Sequence, residues 1–392
     1  MNTSAILFLV CIFSSSYALI QRVPHLPHGL PVVKINVPSS SPSSTSSSSY
    51  FTTSSSLRAA TLGTSAIGGF EGRVLNGMRR AFEPGVAPPR VVESWEAAVT
   101  GEVLKVNHKE GGPGGGLQES GSFLKGLRAE PFHDPSRYAW ARHMEAVAPV
   151  VQEEFFRVTS NKKALEGGSS VWVAPARDEA VSYGQDWKTL VLQDRGRWEE
   201  TNSKLFPATV KAVKESGCPT TEVFFARQPG GTGIKPHTDN TNYIMTSHLA
   251  LQAPEGPCWI RVGSDKKEWV TGKMLVMDTS FIHETWNDTT EERYVLLMRH
   301  YHPETTREER IALQFIFDYV DYCEITNEST ACAEATHIAR EALEKIGWRG
   351  ARGGSAGGFG SGAAKGGFGG GGGGAKGNNG KGKAKSKRSK KR

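Results

Sequence analysis

From residue 221 onward the apolar positions fall into short runs of strand length. Val223-Phe224-Phe225-Ala226-Arg227 reads as a strand, and so do 243–252, 258–262, 267–270, 273–277, 281–286 and 293–301, with Gly, Pro, Asp or Asn between most of them. Upstream the spacing is three and four. Trp140, Met144, Val147, Val151 and Phe155 predict a helix over 136–157, with a kink or break at the internal Pro149. A second helix covers about 206–216 and stops at Gly217 and Pro219. Downstream, Thr305-Thr306-Arg307-Glu308 forms a capping box for a helix with Ile311, Phe315, Ile316, Tyr319 and Val320 on one side, and a last helix covers about 333–346. Helices on both sides of an all-β stretch predict a mainly β fold with flanking helices: a double-stranded β-helix, the jelly roll of cupin-like proteins.

Both ends of the 392-residue chain differ from this middle. Residues 5–13 are an apolar run of signal-peptide length, too short to span a bilayer. A Ser/Thr-rich, acid-free stretch over 38–65 follows and is similar in composition to a transit peptide. Residues 1–70 therefore read as a cleavable targeting leader. It leads through the secretory pathway, either to a plastid entered by that route or to the ER lumen and secretion. Residues 71–118 are Gly/Pro-rich and read as a linker, and 119–348 as the folded domain. Residues 349–392 are Gly-rich, end in a Lys/Arg run and lack the apolar content to fold. A solvated tail is the plain expectation for them; contact with nucleic acid or an anionic surface is the sharper one. The net charge of +7 belongs to the ends: residues 71–348 carry 32 basic against 40 acidic side chains. A basic surface for nucleic acid is therefore no property of the domain. Cys218, Cys258, Cys323 and Cys332 show no zinc-type spacing and are expected as free thiols, although the last two could close a short loop in an oxidising compartment. Asn287-Asp288-Thr289 and Asn327-Glu328-Ser329 are glycosylation sequons, which arise often by chance.

The chemistry concentrates in the β region. His237 and Asp239 lie two positions apart between two strands, so in extended chain both can face one point. His283 lies on a later strand-like segment. Two imidazoles and a carboxylate are the ligand set of a facial Fe(II) site that leaves three positions open. Arg293 begins a strand and shares a face with Val295 and Leu297. A buried guanidinium needs an anion: a carboxylate of a bound keto acid or an acidic side chain of the chain itself. His248 alternates away from Leu249 and Leu251, either as a second hold on that ligand or as a hydrogen-bonded core histidine.

These residues carry a resemblance. Pro236-His237-Thr238, Thr241-Asn242, His248-Leu249, the run 272–278, Ser280 through Asp288, Arg293 and His302-Pro303-Glu304 resemble the aspartyl/asparaginyl β-hydroxylase family of Fe(II)/2-oxoglutarate dioxygenases. More loosely the likeness covers about 125–320. It implies iron held by His237 and His283, and 2-oxoglutarate held by Arg293 with His248 assisting. O2 would split the keto acid into succinate and CO2, and a hydroxyl would enter an unactivated C–H bond of a protein, peptide or small-molecule substrate. Two departures stand out. Vertebrate-type members have a small residue where Asp239 stands, and in that respect this chain is similar to bacterial relatives that hydroxylate lipid A acyl chains. The family also often reads Arg-x-His around the strand histidine, where this chain has Thr246-Ser247-His248. Acyl chains and free amino acids thus stand beside Asp/Asn side chains as candidate substrates. A non-catalytic jelly-roll module tethered by its basic tail would leave Arg293 and the triad unexplained. A cupin-type isomerase or hydrolase would act without oxygen or keto acid.

Overall fold

The structure is a computed structural model that describes residues 69–161, 182–183 and 187–348. All but the last two residues of the expected leader, and the whole basic tail, lie outside the described residues. In chain order the helices are α1 (Gly69–Ala81), α2 (Pro89–Thr100), α3 (Ala139–Thr159), α4 (Glu200–Leu205), α5 (Pro207–Ser216), α6 (Arg307–Ile325) and α7 (Glu328–Lys345). The strands before the barrel proper are β1 (Leu104–His108), β2 (Gly116–Ser120), β3 (Phe132–His133), β4 (Ser182–Tyr183), β5 (Lys188–Asp194) and β6 (Arg197–Trp198). Then come β7 (Thr220–Gln228), β8 (Thr232–His237), β9 (Ile244–Gln252), β10 (Cys258–Val262), β11 (Asp265–Glu268), β12 (Met274–Met277), β13 (His283–Asn287) and β14 (Arg293–Tyr301).

From β7 the chain alternates between two antiparallel sheets. One has the order β3-β12-β9-β14-β7-β5-β6 and the other β11-β10-β13-β8-β4. Strands seven, nine, twelve and fourteen fall in the first and eight, ten, eleven and thirteen in the second. This is the double-stranded β-helix that the sequence pattern predicts. Alternating side chains of one strand serve different layers. On β14, Val295 and Leu297 join Phe224, Ala250, Ile260 and Phe281 between the sheets. Leu296 and Met298 instead face Met144, Val151 and Phe155 of α3 on the outside. Each such side chain contributes about 1.5–3 kcal/mol on burial. That packing also carries α3 through Pro149 as one helix, where a kink or break was expected.

The linker expected over 71–118 is corrected by the structure. Phe70, Val74 and Met78 of α1 and Val91 and Trp95 of α2 pack on Leu313, Phe315 and Ile316 of α6 and Ala335 and Ala339 of α7. Phe70, at the expected leader boundary, is part of this core. The Gly and Pro residues that made the segment look irregular are punctuation. Pro89 opens α2, where its missing N–H costs nothing, and Gly101 closes it at φ 75°. The glycine run over 111–116 turns the β1–β2 hairpin and lets it approach the β10–β11 turn closely: a Cβ on Gly116 would lie 2.5 Å from Gly263 Cα. Two helix starts also shift. The capping box is Thr306 with Glu309, one residue later than expected. Helix α7 begins at Glu328 with Asn327 as its cap. Cys218, Cys258, Cys323 and Cys332 are free thiols. No helix among the described residues is long and apolar enough to cross a membrane.

Trp95 tests the helical layer. It is fully buried and its Nε1 donates to the Glu71 carbonyl at 3.0 Å. Trp95→Ala should cost about 3–5 kcal/mol of stability, measured by urea denaturation of a protein beginning at residue 69. A loss below about 1 kcal/mol would mean that α1 and α2 are dispensable to the domain.

Candidate metal centre and cosubstrate pocket

Strands β8 and β13 pair antiparallel with His237 directly opposite His283. The last residue of one strand thus meets the first of the other, and the imidazole centroids lie 4.2 Å apart. Beyond β8 the chain is held by Asp239 N–H donating to the Thr279 carbonyl at 2.9 Å. It then turns sharply at Asn240, which adopts φ 63°, a conformation Asn tolerates better than most residues. The side-chain oxygen of Asn240 accepts from Gly121 N–H at 2.7 Å and fixes that turn. The loop before β13 is braced as well. Asp278 accepts from Ser280 N–H at 3.0 Å, and Gln118 of the β1–β2 hairpin donates to the Ser280 hydroxyl at 2.9 Å. Residues once expected to be linker therefore buttress the loop that presents His283.

The result is a compact donor set. One ligand atom each from His237, Asp239 and His283 lies within 4.8 Å of the others, the one such group among the described residues. Asp239 Oδ1 is 3.9 Å from both His237 Nε2 and His283 Nε2. These separations are below twice a metal–nitrogen bond of about 2.0–2.1 Å, so one ion can reach all three. Both imidazoles face the right way. His237 Nδ1 lies 2.7 Å from the Lys235 carbonyl and His283 Nδ1 3.0 Å from the Phe281 carbonyl. A carbonyl only accepts, so each Nδ1 carries the proton and each Nε2 presents a lone pair. Burial, with His237 beside it, pushes His283 down to about 4 and keeps it neutral. Burial works against the charge on Asp239, yet Arg299, His283, His237 and the Thr279 hydroxyl outweigh it and hold the carboxyl below its ordinary range. Two imidazole nitrogens and an ionised oxygen, with no thiolate, suit Fe(II).

Behind the triad lies a narrow cavity between the sheets, lined among others by Trp187, Thr246, His248, Met277 and Arg293. Arg293 is fully buried, and its guanidinium stacks 4.1 Å from the centroid of the Trp269 ring. The same indole donates its N–H to His248 Nδ1 at 3.2 Å. Since indole only donates, the His248 proton sits on Nε2. Burial and the neighbouring Arg293 push His248 well below the usual histidine range. A cation and a neutral N–H donor therefore share one wall, an arrangement suited to a carboxylate. The structure brings together all five residues singled out in the sequence. It adds Trp269, Thr279 and Arg299, which the sequence did not single out. Arg299 had a signal: it stands six positions after Arg293 on a strand, hence on the same face. Trp269 had none. A surface groove of about 1290 Å³ between α1 and α7 shares no residue with this cluster, and its Arg73 is engaged by Glu328.

The model of the aspartyl/asparaginyl β-hydroxylase family matches residues 145–303, which hold the triad, the cavity wall and β14. Residues 145–303 belong to the aspartyl/asparaginyl β-hydroxylase family. The chain is 29% identical to the human aspartyl/asparaginyl β-hydroxylase over 219 residues, 54% of this chain and 28% of the human protein. It is also 29% identical over 170 residues to the ornithine lipid ester-linked acyl 2-hydroxylase of Rhizobium tropici, 43% of this chain and 59% of that one. The chain thus spans well under a third of the length of the human relative. A solved Pseudomonas putida prolyl-4-hydroxylase aligns over 43% of this chain and 91% of its own at 17% identity with a TM-score of 0.26. At that score the fold rests on the strand order given above.

The tautomers are open to test in the metal-free hydroxylase-family domain. Nitrogen-15 NMR at neutral pH should show Nδ1–H for His237 and His283 and Nε2–H for His248. An Nε2–H form of His283 would remove it from the donor set.

Proposed function

We propose that the domain is an Fe(II)/2-oxoglutarate-dependent dioxygenase that hydroxylates an unactivated C–H bond. In this reading His237, Asp239 and His283 hold the iron, and Arg293 with His248 holds a carboxylate of 2-oxoglutarate. The observation that carries it is the pairing of the two parts. Three correctly oriented donors adjoin a cavity whose wall combines a buried cation with an N–H donor, a pairing suited to a carboxylate. When bound, iron and keto acid supply oxygen activation, and the keto acid leaves as succinate and CO2.

The chain's own contribution is placement and charge. The Nδ1–H bonds to Lys235 and Phe281 fix the imidazole planes, so the donor set is built before the metal arrives. The Trp269 indole serves two partners at once, stacking under Arg293 and orienting His248. Trp187, Ile260, Met277 and Leu297 line the same cavity and exclude water from it.

A specific observation favours an acyl chain as the substrate. Where the family often has an arginine two residues before the strand histidine, this chain has Thr246, whose hydroxyl pairs with Thr279 at 3.0 Å. The wall at that point therefore presents a hydroxyl engaged with a neighbour and no cation for an acidic side chain. The likeness to a bacterial acyl 2-hydroxylase is in keeping with this. Aspartyl or asparaginyl side chains of a protein or peptide are the alternative.

Purified protein from residue 69 onward, loaded with Fe(II), should release succinate from 2-oxoglutarate under oxygen. His237→Ala and Asp239→Ala should each lower that release by at least about a hundredfold, the upper range for loss of groups that position a metal. Undiminished release in both variants would remove the metal assignment. Arg293→Met should weaken 2-oxoglutarate binding to the Mn(II)-loaded protein by about 2–5 kcal/mol in calorimetry and leave Mn(II) binding intact. A screen comparing acyl lipids with acidic peptides for stimulated succinate release separates the two substrate classes.

A further inference from the structure

Arg299 lies on the same inward face of β14 as Arg293, three alternations further along, and is almost wholly buried at 1% exposure. In register it stands between Glu222 of β7 and Thr246 of β9. Its Nη1 lies 3.6 Å from Asp239 Oδ2. The other oxygen, Oδ1, is the one that faces both imidazoles at 3.9 Å. The carboxylate is thus divided: one oxygen toward the arginine, one toward the metal position. Arg299 does not line the cavity that Arg293 lines. Its place is behind the ligand.

We propose that Arg299 is a positioning residue that keeps Asp239 a one-oxygen ligand, so that three positions of the metal stay open. The proposal rests on the metal assignment made above. A carboxylate can bind a metal through one oxygen or two. With three protein donors, an octahedral ion keeps three positions, and a keto acid that chelates needs two of them, leaving one for oxygen. If Asp239 swung to bind through both oxygens, one position would close. An ion pair to Oδ2 opposes that swing, because turning Oδ2 inward would leave a buried guanidinium with a weaker partner, which is costly. Glu222, opposite Arg299 in register, is the weaker partner, because burial raises its carboxyl to about 7 even with Arg299 nearby.

Thr246 fits the same device. An arginine there would sit beside Arg299 in register and compete with it for Asp239. This chain instead has a threonine whose hydroxyl meets Thr279, and the Thr279 hydroxyl bonds the Asp239 side chain. The threonine, the third ligand and Arg299 thus form one set.

The test compares wild type, Arg299→Met and Arg299→Lys as full-length protein, with circular dichroism confirming the fold. Mn(II) affinity, the ligand-field absorption of the Co(II)-loaded protein and calorimetric 2-oxoglutarate binding are read for each. Arg299→Met should bind Mn(II) at least as tightly as wild type. Its Co(II) spectrum should change, and its keto acid affinity should fall by at least about tenfold. Arg299→Lys, which keeps the charge, should recover most of the wild-type spectrum and serves alone if the Met variant does not fold. A wild-type Co(II) spectrum in Arg299→Met, or metal and keto acid binding lost together, would overturn the proposal, the second result marking a merely structural arginine. If wild type binds metal but no keto acid, the assigned reaction fails, while the Mn(II) and Co(II) comparison still decides the role of Arg299.

Discussion

The site depends on a buried carboxylate. Asp239 is 5% exposed, and an ionised carboxyl taken out of water costs several kcal/mol unless it is met by opposite charge and hydrogen bonds. Here it is met from several sides. Its backbone N–H is tied to Thr279, its Oδ2 faces Arg299, its Oδ1 faces two imidazole nitrogens, and the Thr279 hydroxyl bonds its side chain. The partners come from several elements: His237 from β8, Thr279 from the loop before β13, His283 from β13 and Arg299 from β14. The barrel must therefore close in the right register before the charge is tolerable. The charge in turn rewards that register, because a one-residue slip would turn Arg299 to the outer face of its sheet.

The inner face of β14 carries two arginines with different tasks. Arg293 is stacked on an indole at one end of the cavity, where a flat cation can meet a ligand carboxylate. Arg299 is set against a protein carboxylate at the other end. Between them Val295 and Leu297 keep the interior dry. Low polarity between two fixed cations strengthens each ion pair and raises the cost of leaving either without an anion. The strand thus fixes both the partner of Asp239 and the Arg293 wall of the cavity with one register, and β9 beside it supplies His248 and Thr246 to the same two ends.

Much of this was legible in the sequence, for a physical reason. Strand-length apolar runs with turn residues between them fix which residues face inward, so the jelly roll and the convergence of His237, Asp239 and His283 could be expected from spacing, while the pairing of Arg293 with His248 at a keto acid followed only from the family resemblance. What could not be read depends on packing across distance. Trp269 falls in the run 267–270 read as a strand, yet it lies just past β11, and only the fold brings its indole under Arg293 and against His248. The stretch over 71–118 was misread because Gly and Pro there mark ends of elements and not their absence. Phe70, Val74 and Met78 recur every four residues, a helical signal hidden by punctuation. His237 was placed between two strands, yet β8 runs through Pro236 and ends on His237.

Asp239 changes what a neighbouring side chain can be. In a site with two imidazoles alone, an arginine on the strand beside them has no carboxylate ligand to meet and is free to meet a substrate anion. Once a carboxylate is present, a cation near it is drawn to it and its charge is spent inside the protein. Arg299 occupies that role from β14, and Thr246, its partner in register, is then best uncharged, since a second guanidinium beside Arg299 would be repelled. The presence of Asp239 and the absence of an arginine at position 246 are therefore one change seen at two places. In the proposed reading that coupling links the metal donors to the substrate side of the cavity: the side chain that would complete the metal site also leaves no need for a cation at position 246, and a wall without that cation suits a neutral chain better than an acidic one.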